Sequence, residues 1–267
     1  METFSDRYGI WALVAGAAEG IGASFCDALA FRKMNLVMVD IKEQSLRETA
    51  ERIENFYHVK TLLLVQDLSE EDAWVKCMNL IEALDCRLLI YVPAYSPVKS
   101  FQNNSPAELE KYLKLNSVTP LKLVHAFAER IKTSGSGGIV LMSSLAGLIG
   151  PKFVAPYAAT KAFTIVLAES LFYELRPQGI AIIACCAGPT STPTYWSSLS
   201  YDKKIAREVM EPAKVAACAL KNLGRKAICI PGWKNRFFYL ILLHLLPRKI
   251  AGSFVSQTLG KMYSSIR

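Results

Sequence analysis

The chain has 267 residues, of which 52% are hydrophobic and 20% charged, with 15 Gly and 12 Pro. A chain this apolar, with no repeat period and no low-complexity run, is neither disordered nor fibrous, and its length suits one large core or two smaller ones. The formal net charge of +8 sits in the last fifth: no Asp or Glu follows Glu211, whereas ten Lys or Arg do, leaving 21 basic against 23 acidic residues before that point.

In chain order, short β-branched runs alternate with helix-period segments. WALVA (11–15) reads as a buried strand, followed by a helix from Gly20 to about Lys33. LVMVD (36–40) is a second strand, and Glu43 to about Tyr57 is an amphipathic helix with i,i+4 charge pairs. TLLLV (61–65), a helix over 70–84, LLIYV (88–92) and a long helix from about Pro106 to Lys132 come next. GIVLMS (138–143), a helix from about Pro156 to Arg176, IAIIACC (180–186), a helix near 212–223 and AICIP (227–231) complete the pattern.

Strands apolar throughout and separated by helices imply a parallel sheet covered on both faces. Right-handed crossovers then give a doubly wound α/β sheet of about seven strands, a Rossmann fold. No linker interrupts it, so residues 1–231 are expected to form one domain. Residues 232–267 follow as an apolar, basic arm.

Seven scattered cysteines without a CxxC spacing point to a reducing, cytoplasmic setting rather than a disulfide framework. Cys185 and Cys186 are adjacent in a strand and should face opposite ways. His58, His125 and His244 have no metal-ligand spacing, so no metal site is expected. The polar start, METFSDRYG, does not read as a signal peptide.

The first strand runs into Gly16-Ala17-Ala18-Glu19-Gly20-Ile21-Gly22, which opens directly into a helix. Such a turn is either an ordinary αβ loop or the place where a dinucleotide pyrophosphate meets backbone amides at a helix N-terminus. Asp40, 24 residues past Gly16, ends the second strand where an acid can accept hydrogen bonds from an adenosine ribose. A carboxylate there favours NAD and repels the 2′-phosphate of NADP, and Glu19 adds a second negative charge. Lys42 argues the other way, for NADP.

Tyr-x-x-x-Lys occurs twice. Tyr95 to Lys99 contains Pro97, so that pair is not helical and should not share a face. Tyr157 to Lys161 begins a long helix, placing both side chains on one face, where the ammonium favours a tyrosinate able to act as general acid or base. A surface Tyr–Lys stack is the plain alternative. Ser144 precedes Tyr157 by thirteen residues at the carboxyl edge of the fifth strand, and Asn116 lies within the preceding long helix.

Together these residues resemble the short-chain dehydrogenase/reductase family from about residue 9 to about 231. The resemblance implies a catalytic tetrad of Asn116, Ser144, Tyr157 and Lys161. It also implies a cofactor cleft formed by Gly16, Glu19, Gly20, Ile21, Gly22, Asp40, Asp67, Leu68 and Ala94. Gly188, Pro189 and Thr192 would hold the nicotinamide carboxamide, and Tyr157 and Lys161 would flank its ribose. IPGWKN (230–235) and LLPRK (245–249) look similar to a subgroup of bacterial reductases and their animal hydroxysteroid-dehydrogenase relatives.

Three positions depart from the family pattern: Ala15 where Thr is usual, Val92-Pro93-Ala94-Tyr95 where Asn-Asn-Ala-Gly is usual, and Ala187 where Pro is usual. Pro93 cannot donate a backbone hydrogen bond, and Tyr95 is expected beside the cofactor.

The implied function is hydride transfer between NAD, or alternatively NADP, and an alcohol or ketone. Bulky residues after Thr192 (Tyr195, Trp196, Leu199, Tyr201) suggest a lipophilic one, steroid-, retinoid- or acyl-like, or simply pack a lid. A nucleotide-binding regulator with little turnover is the alternative. The resemblance further implies a homodimer or homotetramer, pairing through the helices that carry Asn116 and Tyr157. Phe237–Leu246, flanked by Lys234, Arg236, Arg248 and Lys249, is too short to span a bilayer. It either lies on an anionic membrane surface, through residues 234–249, or caps the pocket or a subunit interface. Nucleic acid is not an expected partner, since the arm carries no binding motif.

Overall fold

The computed structural model describes residues 3–198 and 209–262. Among them are seven strands: β1 (Trp11–Ala15), β2 (Asn35–Asp40), β3 (Thr61–Val65), β4 (Cys86–Tyr91), β5 (Gly137–Ser144), β6 (Ile180–Ala187) and β7 (Ile228–Cys229). All pair in parallel, in the order β3-β2-β1-β4-β5-β6-β7. The chain winds outward from β1 to β3, then returns to lay β4 beside β1. That reversal opens a crevice at the carboxyl ends of β1 and β4.

The helices are α1 (Phe4–Tyr8), α2 (Gly20–Ala30), α3 (Glu43–Tyr57), α4 (Ala73–Leu80), α5 (Pro106–Leu113), α6 (Thr119–Lys132), α7 (Ala155–Leu175), α8 (Pro193–Ser198), α9 (Pro212–Asn222), α10 (Trp233–His244) and α11 (Arg248–Met262). Alternate strand residues feed two cores. Val14, Met38, Ile90 and Cys185 pack under α2, α3 and α9, while Leu13, Val39, Leu89 and Ala184 pack under α4, α6 and α7. Cys186 faces away from Cys185, into a third cluster built with α10 and α11, as strand alternation requires.

Several boundaries differ from the sequence expectation, each for a local reason. The helix expected to reach Lys33 stops at Ala30, because Arg32 and Lys33 donate three residues back and Lys33 turns left-handed at φ 62°. The helix expected over 70–84 is only Ala73–Leu80. Asp67 folds its carboxylate onto Ser69 before it, and three-residue turns at Ile81, Glu82 and Leu84 close it. The fourth strand starts at Cys86 and ends one residue early, at Tyr91, and the seventh shortens to two residues. Helix α1 went unforeseen, although Thr3 and Asp6 form a reciprocal capping box.

The long helix from Pro106 is not continuous. Pro120 has no N–H to return to the Asn116 carbonyl, and its ring crowds that position. The ladder widens into a π-turn over Lys114–Val118, in which Thr119 N–H donates to the Lys114 carbonyl. Asn116 therefore sits in the one irregular turn of this rod.

Candidate active site

The glycine turn carries the crevice. Gly16 adopts φ +77°, and the N–H groups of Gly16 and Ala17 both donate to the Val39 carbonyl, at 2.7 and 3.1 Å. Gly22 lies so close over the Gly16 carbonyl that any β-carbon would collide with it. Glu19 supplies no side-chain cap to α2, so the first amides of this eleven-residue helix point into the crevice without an anionic side chain of their own. That is a fitting cradle for a pyrophosphate.

Beyond the turn, Asp40 is held by two backbone donors, Ala18 N–H at 3.0 Å and Lys42 N–H at 3.1 Å. Each carboxylate oxygen keeps a lone pair for a further donor such as a ribose hydroxyl. The Lys42 ammonium pairs with Glu19 at 2.7 Å. Asp67 accepts from the backbone and hydroxyl of Ser69, at 2.8 and 2.7 Å, and these bonds outweigh partial burial and hold its carboxyl below the usual range.

Ser144 ends β5, and Tyr157 and Lys161 lie one turn apart on α7. The Ser144 hydroxyl accepts from Ala146 N–H at 3.2 Å and retains a proton to donate. Lys161 is 4% exposed, with Nζ donating to the Met142 carbonyl at 2.7 Å and lying 5.7 Å from the Tyr157 ring centroid. Burial lowers its pKa to about 8, so the ammonium persists at neutral pH but titrates within reach of it. Ser143 Oγ donates to the Lys161 carbonyl at 2.8 Å and fixes α7 to the strand edge.

Asn116 is 2% exposed and stands behind the crevice rather than lining it. Its Nδ2 donates to the Tyr95 carbonyl at 2.9 Å and to Thr160 Oγ1 at 3.1 Å, while its Oδ1 accepts from Tyr95 N–H at 2.8 Å. The amide thus ties the loop after β4 to α7.

This loop bears on two expectations. Tyr95 lines the cleft, as expected, while its hydroxyl donates to Glu108 of α5 at 3.0 Å and its ring meets Tyr112 at 4.8 Å. Lys99 converges on the same Glu108 oxygen at 2.5 Å, so the Tyr95/Lys99 pair, non-helical as expected, shares Glu108 as a common partner. Pro93 replaces a donor with a ring packed against Gly16. Ala15, although it lacks the family hydroxyl, still accepts from Val92 N–H at 3.1 Å through its carbonyl.

On the far side, the Thr192 hydroxyl caps α8 by accepting from Tyr195 N–H at 3.1 Å, and its methyl sits over Gly20. Gly188 is backed by Asn235 of α10, close enough that a β-carbon would press on its amide at 3.0 Å. A cavity of about 740 Å³ joins these parts. Its walls include Gly16, Glu19, Gly20, Ile21, Asp40, Asp67, Leu68, Ala94, Ser144, Tyr157, Lys161, Gly188, Pro189 and Thr192. Gly22 and Asn116 support the walls without forming them.

The arm also contributes to the wall, in keeping with the expectation that Phe237–Leu246 caps the pocket. Tyr239, Val255 and Leu259 reach the cavity from α10 and α11. The signal was present, since Asn235, Tyr239 and Leu242 recur at helical spacing in the arm. Tyr195 lines the cavity, whereas Trp196 turns outward and bonds Ser191 at 3.0 Å. Leu199 and Tyr201 lie outside the described residues.

Comparison with known proteins agrees with this fold. The short chain dehydrogenase family model matches residues 10–202. A 7beta-hydroxysteroid dehydrogenase of Clostridium sardiniense is 30% identical over 233 residues, covering 87% of this chain and 89% of that protein. A very-long-chain 3-oxoacyl-CoA reductase of Meyerozyma guilliermondii is 27% identical over 284 aligned positions, 99% of this chain and 81% of that protein. A solved structure that addresses 7beta-hydroxysteroid dehydrogenase stereoselectivity superposes with a TM-score of 0.89 at 25% identity, across 95% of this chain and 99% of the other.

Proposed function

The chain belongs to the short-chain dehydrogenase family, oxidoreductases that act on CH–OH and C=O groups with a nicotinamide dinucleotide, and within that family we propose an enzyme of lipophilic secondary alcohols or ketones that prefers NAD(H). When bound, the dinucleotide supplies or accepts the hydride. The α2 amides would hold its pyrophosphate, Asp40 its adenosine ribose, Asp67 and Leu68 its adenine, and Gly188, Pro189 and Thr192 its carboxamide.

The chemistry of this chain's own residues concerns a proton. In the direction of reduction, Tyr157 gives its phenolic proton to the carbonyl oxygen; in oxidation, Tyr157 as tyrosinate takes the hydroxyl proton. Lys161, buried beside the Tyr157 ring, favours the tyrosinate and would flank the nicotinamide ribose. Ser144 donates to the reacting oxygen and stabilises the charge that develops there. Asn116 holds the geometry of the loop after β4 against α7.

The observation that carries the substrate class is the apolar part of the cavity wall, to which Leu145, Val154, Tyr195, Tyr239, Val255 and Leu259 contribute. Steroid-like and long-chain acyl compounds both fit this description, in line with what the two relatives are named for. The test is a turnover screen with NADH and NADPH against hydroxysteroids, retinoids, 3-oxoacyl thioesters and short polar ketones. Turnover confined to the polar ketones rejects the lipophilic reading.

We also propose a homodimer through α5–α7. Leu113, Val118, Leu121, Phe163, Val166 and Tyr173 are large, apolar and exposed along that face. Light scattering of the purified chain tests this, and a monomer at micromolar concentration rejects it.

A further inference from the structure

The outward side of α10 has no use in the site described above. Its inward side, with Asn235, Tyr239 and Leu242 at helical spacing, packs on the domain. At 3.6 residues per turn, Trp233, Phe237, Leu240 and His244 fall on the opposite side. There Trp233 is 69% exposed, Phe237 60% and Leu240 57%. The stripe continues into the turn to α11, where Leu245 is 72% exposed, and on to Ile250 at 55%. Contiguous apolar surface of this kind on a folded chain marks a contact face.

The charges around the stripe identify the contact. Lys234 and Arg236 flank it on α10, Arg248 and Lys249 follow the turn, and no acid occurs anywhere after Glu211. Pairing two copies arm to arm would set cation against cation. An acidic headgroup layer neutralises them while the aromatic and aliphatic stripe enters the acyl boundary. Among the described residues no helix is long and apolar enough to cross a membrane, and α10 has only twelve residues, so the geometry is that of a helix lying in the interface plane.

We propose that α10 and the α10–α11 turn dock this chain on the surface of an anionic lipid bilayer. Tyr239, Val255 and Leu259 of the same two helices line the catalytic cavity, so docking places the lipid beside the wall that a lipophilic substrate meets. That consequence rests on the proposed substrate class; the docking itself does not.

The test is flotation of the full chain with phosphatidylglycerol/phosphatidylcholine vesicles and with phosphatidylcholine alone, without substrate. The wild type should float with the anionic vesicles at low salt and be released as salt rises. Joint Phe237→Ser and Leu240→Ser should abolish flotation with circular dichroism and melting unchanged. Joint Arg248→Ser and Lys249→Ser should weaken partitioning by roughly 25-fold, at about fivefold per cation. Absence of flotation at low salt, or equal flotation of the Phe237/Leu240 variant, overturns the proposal. A wild-type dimer that the same variant splits into monomers also overturns it, and assigns the face to a second copy.

Discussion

The side-chain amide of Asn116 pairs with both backbone groups of Tyr95, donating to its carbonyl at 2.9 Å and accepting from its N–H at 2.8 Å. A single buried amide thereby fixes the segment that forms the floor of the cofactor cleft. Asn116→Ala leaves the Tyr95 N–H and C=O without these partners, which should destabilise the fold by about 1–3 kcal/mol. Chemical denaturation measures this, and the KM for the dinucleotide should rise more than kcat falls.

Glu108 is the second clamp on the same loop. Lys99 first, then Ser105 and Tyr95, bond its carboxylate and hold its pKa at about 2, against 4.5 for a free glutamate. The depressed pKa means that its contribution to stability is present above about 4.5 and is lost as pH falls through about 2. Urea midpoints of the wild type should therefore converge on those of Glu108→Gln across that window and exceed them at neutral pH. Parallel midpoints at every pH would contradict the clamp.

Lys161 carries the opposite sign. Burial lowers its pKa to about 8 from 10.5, so the unfolded chain binds the proton more tightly than the folded one. The cost of burying the ammonium is fully present below about 8 and is relieved as pH rises toward 10.5. The stability of wild type minus that of Lys161→Met should grow over this interval. A flat difference would show that the lysine is not buried in solution.

The Lys42–Glu19 pair and the doubly held Asp40 make a cofactor prediction. Asp40→Ala should weaken NADH binding by about 10- to 100-fold, the worth of hydrogen bonds to a charged group, while affecting NADPH less. Lys42→Ala should leave NADH binding nearly unchanged. Fluorescence titration with both nucleotides measures each effect.

Much of this was legible in the chain because it is local. The bounds of β1, α3 and β3 follow from apolar runs and charge pairs confined to their own segments. The glycine turn and the Tyr157/Lys161 spacing follow in the same way. What was not legible depends on partners distant in sequence. The direction of Tyr95 is set by Glu108 and Tyr112, and the backing of Gly188 by Asn235 from the arm. The π-turn at Asn116 had a local signal in Pro120, four residues on, that the apolar periodicity concealed. The arm's inward spacing likewise suits the expected cap over the pocket, although nothing local says which of its residues reach the cavity.

The most direct measurement is turnover and dinucleotide affinity of Tyr157→Phe beside the wild type, with whichever lipophilic ketone the screen identifies. The change removes one oxygen and keeps the ring beside Lys161. The account predicts a fall in kcat of at least about 100-fold, the range of a lost general acid, with nucleotide affinity nearly intact. Turnover near the wild-type rate would contradict the assignment of the proton to Tyr157, and with it the mechanism proposed for this cleft.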